Sequence, residues 1–250
     1  MILGIMGGMG PAATCDLFRK IIDSTHASKD QDHIHIVIDS NAQIPDRTQY
    51  ILGEGQDPKI ELIRSLTRLE MLGADYIAMP CNTAHFFYDD IKRYTKAYLI
   101  NMIGETAAFL KFTKPDAGDF LLLATEGTYI SGIYKKIFKE YGLNIIEPDD
   151  ADKKVVMGWI YKVKSGKFDV SPTEFEYLVT KYIDDKCTPV ILGCTELPLL
   201  VERIGVPKEY IDPVLILARH CVELAEKEKF DEESSLHDGN GVLHKNNEVE

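Results

Sequence analysis

The 250-residue sequence lacks the features that mark several classes of protein. Basic residues are in deficit, because 28 Lys and Arg stand against 40 Asp and Glu and leave a net charge of −12. A nucleic-acid partner would require a basic face, so we expect none. No apolar run approaches the roughly 18 residues that cross a bilayer, and no basic stretch of a signal peptide precedes the first apolar residues. We therefore expect a cytoplasmic protein without membrane contact.

Cysteine is scarce and scattered. The five cysteines are Cys15, Cys81, Cys187, Cys194 and Cys221. Their odd number and the lack of a Cys-x-x-Cys pair argue against a fully paired disulfide framework and a zinc ribbon, so we expect reduced thiols. His33 and His35 alternate on a predicted strand in a spacing that can bind metal, but no third ligand is evident and we predict no metal site.

Two of the cysteines occupy matching places, 113 positions apart. In the segments Asp75–His85 and Pro189–Pro198, an apolar run bounded by Gly or Pro predicts a buried strand that ends at the cysteine. The residues that follow each cysteine are typical of a helix start. Cys81 and Cys194 are therefore each predicted at the C-terminal end of a strand.

Strands and helices alternate along the chain, which predicts parallel sheets of the α/β class. In the second half, for example, the pattern predicts a strand at Asp119–Ala124 and a helix from Thr125 to about Tyr141. Further helices are predicted around Asp150–Lys164 and Pro172–Lys186. A strand-turn-helix segment precedes each strand-Cys unit by about 70 residues, so we expect two pseudo-symmetric lobes, each a parallel sheet flanked by helices. Because parallel sheets place ligands at the C-terminal ends of their strands, the active site is predicted in the interlobe cleft.

The predicted lobes divide the chain near its middle. Residues 1–104 form the first lobe, to which a helix at 213–230 returns, and residues 105–212 form the second. The acidic, polar residues 231–250 are predicted to be a disordered tail. The segment Asn41–Asp57 is predicted to be a long irregular loop that acts as a lid, with Pro45-Asp46-Arg47-Thr48 as the part that reaches a ligand.

The paired thiols suggest a proton-transfer chemistry. Racemising an amino acid without a cofactor requires a base on one face of the α-carbon and an acid on the other. A helix N-terminus can lower the pKa of a cysteine, so a thiolate and a thiol can coexist near neutral pH. We predict this role for Cys81 and Cys194, whereas Cys15, Cys187 and Cys221 fall inside predicted helices or just before a strand.

The motifs together resemble the aspartate racemase branch of the aspartate/glutamate racemase superfamily, from residue 1 to about 230. They are Gly7-Gly-Met-Gly-Pro-Ala-Ala-Thr14, Pro45-Asp-Arg-Thr48, Met79-Pro-Cys-Asn-Thr-Ala-His85, Leu123-Ala-Thr-Glu-Gly-Thr128 and Gly193-Cys-Thr-Glu196. The resemblance implies racemisation by paired cysteines without pyridoxal phosphate, metal or any other cofactor. It also implies a homodimer and an aspartate substrate.

The resemblance further implies a set of substrate-binding residues. They are Met9, Arg47, Asn82, Thr83, Thr125, Thr128, Lys164 and Thr195. Arg47 and Lys164 match cations that hold the two carboxylates, and arginine offers a bidentate fork for that purpose. Because the chain is about one residue shorter than the family pattern here, Lys162 or Lys167 remains an alternative to Lys164. Each threonine could instead cap a helix.

Two further residues are possible assistants to the cysteines. Glu196 could polarise Cys194 or cap its helix. His85 lies four residues after Cys81 and could orient a ligand, pair with a carboxylate or be a core histidine, of which we favour the core position.

Other functions fit parts of the sequence. Gly8-Met-Gly-Pro-Ala-Ala13 after a first strand, with Asp39 ending the second strand, also fits a dinucleotide fingerprint and hence a nicotinamide-dependent oxidoreductase. A racemase of glutamate or of a broader range of amino acids, and a non-catalytic module that binds dicarboxylates, are further alternatives.

Overall fold

A computed structural model describes residues 1–183, 188–206 and 210–239, with the backbone alone described at 229 and 231–239. The strands are β1 (Ile2–Gly7), β2 (His35–Ser40), β3 (Tyr76–Ala78), β4 (Tyr98–Leu99), β5 (Asp119–Ala124), β6 (Asn144–Ile146) and β7 (Val190–Gly193). The α-helices are α1 (Pro11–Ser24), α2 (Arg47–Ile51), α3 (Lys59–Met71), α4 (Tyr88–Ile91), α5 (Met102–Thr113), α6 (Glu126–Ser131), α7 (Ile133–Glu140), α8 (Asp150–Lys164), α9 (Pro172–Thr180), α10 (Glu196–Ile204) and α11 (Pro213–Gly239). Three short 3-10 helices cover Asp30–Asp32, Thr83–Phe87 and Lys92–Tyr94.

The strands form two parallel sheets, which confirms the predicted α/β fold with two lobes. The first sheet has the order β2-β1-β3-β4 and the second the order β6-β5-β7. The central strands are almost wholly buried, as is typical of parallel sheets covered by helices on both faces. β3 and β7, the strands that precede the two cysteines, lie next to the opening strands β1 and β5 of their sheets.

The last helix joins the two ends of the chain. Helix α11 packs against α1 and α5, and its residues Leu217 and Cys221 share an apolar cluster with Leu3 and Ile5 of β1. Burial of each such leucine or isoleucine stabilises the fold by about 1.5–3 kcal/mol. The chain therefore returns to its first sheet after completing the second. No helix in the described part of the chain is long and apolar enough to span a membrane.

Helix α11 continues to Gly239, so its last residues lie within the segment 231–250 that the sequence predicts to be a disordered tail. No glycine or proline interrupts the sequence between Pro213 and Gly239, and its many glutamates favour a helix. Residues 240–250 lie outside the described residues. The predicted helix at 172–186 ends at Thr180, and Cys187 also lies outside the described residues.

The predicted irregular loop at 41–57 contains helix α2. Asp46 caps this helix, because its side chain accepts a hydrogen bond from the amide of Gln49. The helix predicted after Thr125 is broken at Gly132, which has a φ of 63° and separates α6 from α7. These two departures place α2 and the start of α7 beside the cavity described next.

Candidate active site

A small cavity between the two sheets is bordered by both predicted catalytic thiols. Cys81 belongs to an apolar cluster of the first sheet and Cys194 to one of the second, and each is 6% exposed. The cavity is lined by Met9, Asp46, Arg47, Thr48, Cys81, Asn82, Thr83, Thr125, Lys164, Cys194, Thr195 and Glu196. All the predicted site residues therefore line one space, except Thr128 and His85.

Among the three candidate lysines, the structure places Lys164 at the cavity. Lys162 instead donates a hydrogen bond to the carbonyl of Asp169 at 3.0 Å, and neither Lys162 nor Lys167 lines the cavity. Burial alone would lower the pKa of Lys164. The pKa is raised nevertheless, because electrostatic interactions with Cys194, Glu196 and Cys81 favour the protonated amine.

Cys194 is surrounded by groups that keep it protonated. Its Sγ donates a hydrogen bond to Glu196 Oε2 at 2.9 Å, and the hydroxyl of Thr195 donates to the same oxygen at 3.2 Å. Burial, and then the charge of Glu196, raise the pKa of Cys194 well above its ordinary value, and Lys164 opposes this only in part. The expectation that the helix start would lower this pKa is therefore wrong, because desolvation and the carboxylate outweigh the backbone of α10. Glu196 makes no capping hydrogen bond in α10 and contacts the thiol instead.

Cys81 is held by a buried histidine. The ring Nδ1 of His85 lies 2.8 Å from the carbonyl oxygen of Cys81, and the amide of Met102 donates to Nε2 at 3.1 Å. Because Nε2 accepts, Nδ1 carries the proton and donates to Cys81. In a regular α-helix, the carbonyl of Cys81 would accept a hydrogen bond from the backbone amide of His85. Here the imidazole binds that carbonyl, and the amide of His85 donates to the carbonyl of Asn82, as in a 3-10 helix. Burial lowers the pKa of His85 to about 4, so the ring is neutral.

Three threonines, two of which line the cavity, have side-chain hydroxyls in mutual contact. The hydroxyl of Thr83 lies 2.9 Å from that of Thr125 and 3.1 Å from that of Thr128, which lie 3.0 Å apart. Thr125 also caps α6, since its side chain accepts from the amide of Thr128. Thr128 does not line the cavity, so its contact with a ligand would be indirect, through the other two hydroxyls.

Arg47 brings a buried cation to the cavity. It is 8% exposed, and its guanidinium donates to the carbonyl oxygens of Ile44, Pro45 and Met9 at 3.0–3.4 Å. Its Nε has no hydrogen-bond partner, and no carboxylate lies within ion-pair distance of it among the described residues. Because a buried charge without a counter-charge is costly, this arrangement suits an anionic ligand.

Tyr134 is a neighbour of the cavity that sequence reasoning missed. Its hydroxyl donates to Asn82 Oδ1 at 2.5 Å, which joins α7 of the second lobe to the residue beside Cys81. The amide nitrogen Nδ2 of Asn82 is buried without a partner in the described parts of the chain. No local pattern in the sequence could reveal a contact across 52 positions.

The cavity is closed in this conformation. Its water-accessible space is about 10 Å³, roughly the room that one water molecule takes, whereas sites for small ligands have volumes of about 300–1,000 Å³. Helix α2 packs against α6, where a Cβ on Gly127 would lie 2.9 Å from the Cα of Thr48. The segment around α2 therefore covers the cavity from the first lobe. A separate groove of about 800 Å³ along α5 and α11 contains none of the predicted site residues.

The chain is similar to known amino-acid racemases. A model of the Asp/Glu/Hydantoin racemase family matches residues 6–221. The broad specificity amino-acid racemase RacX of Bacillus subtilis (strain 168) is 28% identical over 225 residues, which cover 88% of this chain and 96% of that protein.

Solved structures agree with this match. The aspartate racemase of Picrophilus torridus is 32% identical, with a TM-score of 0.79 over 90% of this chain and 94% of its own. An aspartate racemase homologue from Pyrococcus horikoshii OT3 is 28% identical, with a TM-score of 0.71 over 90% of this chain and 98% of its own.

Proposed function

The chain belongs to the Asp/Glu/hydantoin racemase family and is an amino-acid racemase of the cofactor-independent kind, and we propose that it interconverts L- and D-aspartate through Cys81 and Cys194. The observation that carries the proposal is that the two thiols, one from each lobe, border the same small cavity. A two-base proton transfer requires a base and an acid on opposite faces of one carbon, and thiols from two different lobes can approach a substrate from two sides.

The proposed reaction removes one proton from the α-carbon and adds another to its opposite face. In one direction, the thiolate of Cys81 abstracts the α-proton from the enantiomer whose α-hydrogen points towards Cys81. The thiol of Cys194 then delivers its proton to the opposite face of the α-carbon. The raised pKa of Cys194 supports its role as the acid in this direction. The turnover leaves Cys81 as thiol and Cys194 as thiolate, so the enzyme is then set for the opposite enantiomer or returns by proton exchange with water.

The cations of the cavity support an acidic substrate. Arg47 and Lys164 line it together, and neither forms an ion pair with a carboxylate among the described residues. Two cations suit the two carboxylates of aspartate. Asn82, Thr83, Thr125 and Thr195 supply further polar groups from both lobes, and Met9 an apolar contact; we propose that these residues bind the substrate, with Thr128 acting through its neighbours.

Other substrates are kept as alternatives. Glutamate has the same charges with one more methylene, and the similarity to a broad specificity racemase supports a wider range. The family match decides against the nicotinamide-dependent oxidoreductase. A module that binds dicarboxylates without reacting would use the same cations, so reaction at the α-carbon has to be measured directly.

The test is incubation of the purified protein with L-aspartate in deuterated buffer without added cofactor. We expect D-aspartate to accumulate, with deuterium at its α-carbon. L-glutamate and L-alanine in parallel measure how far the cations restrict the substrate. Binding of aspartate without any α-exchange would favour the binding module, and exchange with neutral amino acids alone would contradict the role of the cations.

We also propose a cytoplasmic homodimer. Support for the dimer comes from β2, an edge strand whose outer side pairs with no described strand, next to the exposed apolar side chains Phe18, Ile22 and Ile38. The mass in solution from light scattering tests it, with Ile38→Lys expected to weaken the dimer. Ile60→Lys changes an exposed isoleucine on α3 instead and serves as the control.

A further inference from the structure

Tyr134 does not line the cavity, but its hydroxyl binds Asn82, which does. Tyr134 is 1% exposed and packs against Phe138 with ring centroids 5.5 Å apart. Burial raises the pKa of its phenol, so the hydroxyl keeps its proton. The hydrogen bond to Asn82 Oδ1 is the one it makes among the described residues.

A buried hydroxyl has to donate its proton, and this decides which way the carboxamide of Asn82 is turned. If the carboxamide were reversed, its nitrogen would face the phenol oxygen and the tyrosine proton would have no acceptor. Such an unmade buried hydrogen bond costs about 1–3 kcal/mol. Tyr134 therefore holds Oδ1 away from the cavity and leaves Nδ2 as the group without a partner.

The geometry points to Tyr134 as a positioning residue that fixes Asn82 as a hydrogen-bond donor, so that the side chain beside Cys81 binds a carboxylate oxygen of the substrate and not its ammonium group. This inference rests on the proposed function, because it assigns a ligand group within the same cavity. Because Tyr134 lies in α7, after the break at Gly132, its hydrogen bond also connects the second lobe to the residue next to Cys81.

Tyr134→Phe removes the hydroxyl and keeps the ring. We expect kcat/KM for aspartate to fall about tenfold, mostly through KM, because the carboxamide of Asn82 can then rotate. Tyr129→Phe is the matched control. Tyr129 is also buried in the second lobe, but among the described residues its hydroxyl bonds only the backbone of Leu122 and Ala124. We therefore expect a similar loss of thermal stability and a change of kcat/KM within about twofold.

A double-mutant cycle separates positioning from a merely structural role. In the Asn82→Ala background the phenol has lost its acceptor, so Tyr134→Phe should cost no further activity and no further thermal stability. Losses that multiply in the double variant, or a Tyr134→Phe enzyme with unchanged KM, would overturn the inference.

Asn82→Asp provides an independent test that needs no change at Tyr134. The carboxylate still accepts from the phenol but presents an oxygen to the cavity, so we expect a loss at least as large as that of Asn82→Ala. Activity close to wild type would overturn the inference. If the wild-type protein does not racemise aspartate, the proposed function fails, and the same cycle measured on aspartate binding by calorimetry still decides the role of Tyr134.

Discussion

Cys81 and Cys194 each follow a buried strand at the cavity, yet the groups around the two sulfur atoms differ. Cys194 donates to the carboxylate of Glu196, the residue at which the regular helix α10 begins. Cys81 precedes a 3-10 helix in which His85 binds its carbonyl and Tyr134 binds its neighbour Asn82. The two thiols thus lie in equivalent places, and the side chains around them raise the pKa of Cys194 and fix the backbone at Cys81.

The largest expected effect comes from removing either thiol. Cys81→Ser and Cys194→Ser should each lower kcat for racemisation by roughly 10³-fold or more, because a serine hydroxyl is a far weaker base and acid–base groups contribute about 10²–10⁴-fold. Initial rates by chiral chromatography measure this. Cys15→Ser, at an exposed thiol on α1, is the control and should stay near wild type. Full activity of either active-site variant would refute the pairing of the two thiols.

The histidine that holds Cys81 should make stability depend on pH. Its pKa is about 4 in the fold and ordinarily 6.5, so the unfolded chain takes up this proton first as the pH falls. His85 therefore contributes fully to the free energy of unfolding above pH 6.5. Between pH 6.5 and 4 this contribution, roughly 3 kcal/mol, is lost. Urea unfolding at several pH values measures it.

His85→Gln should lower stability at pH 7 and flatten this part of the pH dependence. His26→Gln, at an exposed histidine just after α1, is the control and should keep the wild-type slope. An unchanged slope in His85→Gln would show that the buried imidazole is not the group that titrates.

On the other side of the cavity, Glu196→Gln should change the protonation of Cys194. Burial still raises the pKa of the thiol, but the loss of the carboxylate charge should lower it relative to wild type. We expect Cys194 to react with iodoacetamide at lower pH in Glu196→Gln than in wild type, because the thiolate forms more readily. Glu126→Gln, at an exposed glutamate that also begins a helix after a strand, is the control. If the pH dependence of alkylation is the same in Glu196→Gln as in wild type, Glu196 does not control the protonation of Cys194.

The smallest effect concerns the segment that closes over both thiols. In Gly127→Ala the new Cβ would lie 2.8 Å from the hydroxyl oxygen of Thr48, so α2 has to move away from α6. We expect kcat/KM to fall roughly three- to tenfold, because the cavity closes less well around the substrate. In Gly158→Ala on α8 the Cβ meets no atom within 4 Å, and activity should stay unchanged. Equal activities in the two variants would argue against closure by α2.

The sequence predicted what depends on local patterns. Apolar runs and helical spacing gave β5 and α8 with the bounds that the structure has, and the strand-Cys echo led to the cavity. The pKa of Cys194 was predicted in the wrong direction, because the helix start is visible in sequence but desolvation is not. The contact of Tyr134 with Asn82 depends on how the two lobes pack, so no local pattern shows it.

The central claim, that two thiols act on opposite faces of one carbon, is tested most directly by where deuterium appears in the first turnovers. L-aspartate and D-aspartate are each incubated with the wild-type protein in deuterated buffer, and product and recovered substrate are separated and analysed by mass spectrometry. The account predicts deuterium at the α-carbon of nearly all product and of little recovered substrate, in both directions. Product that keeps the original α-hydrogen, or recovered substrate labelled as fast as product, would contradict it.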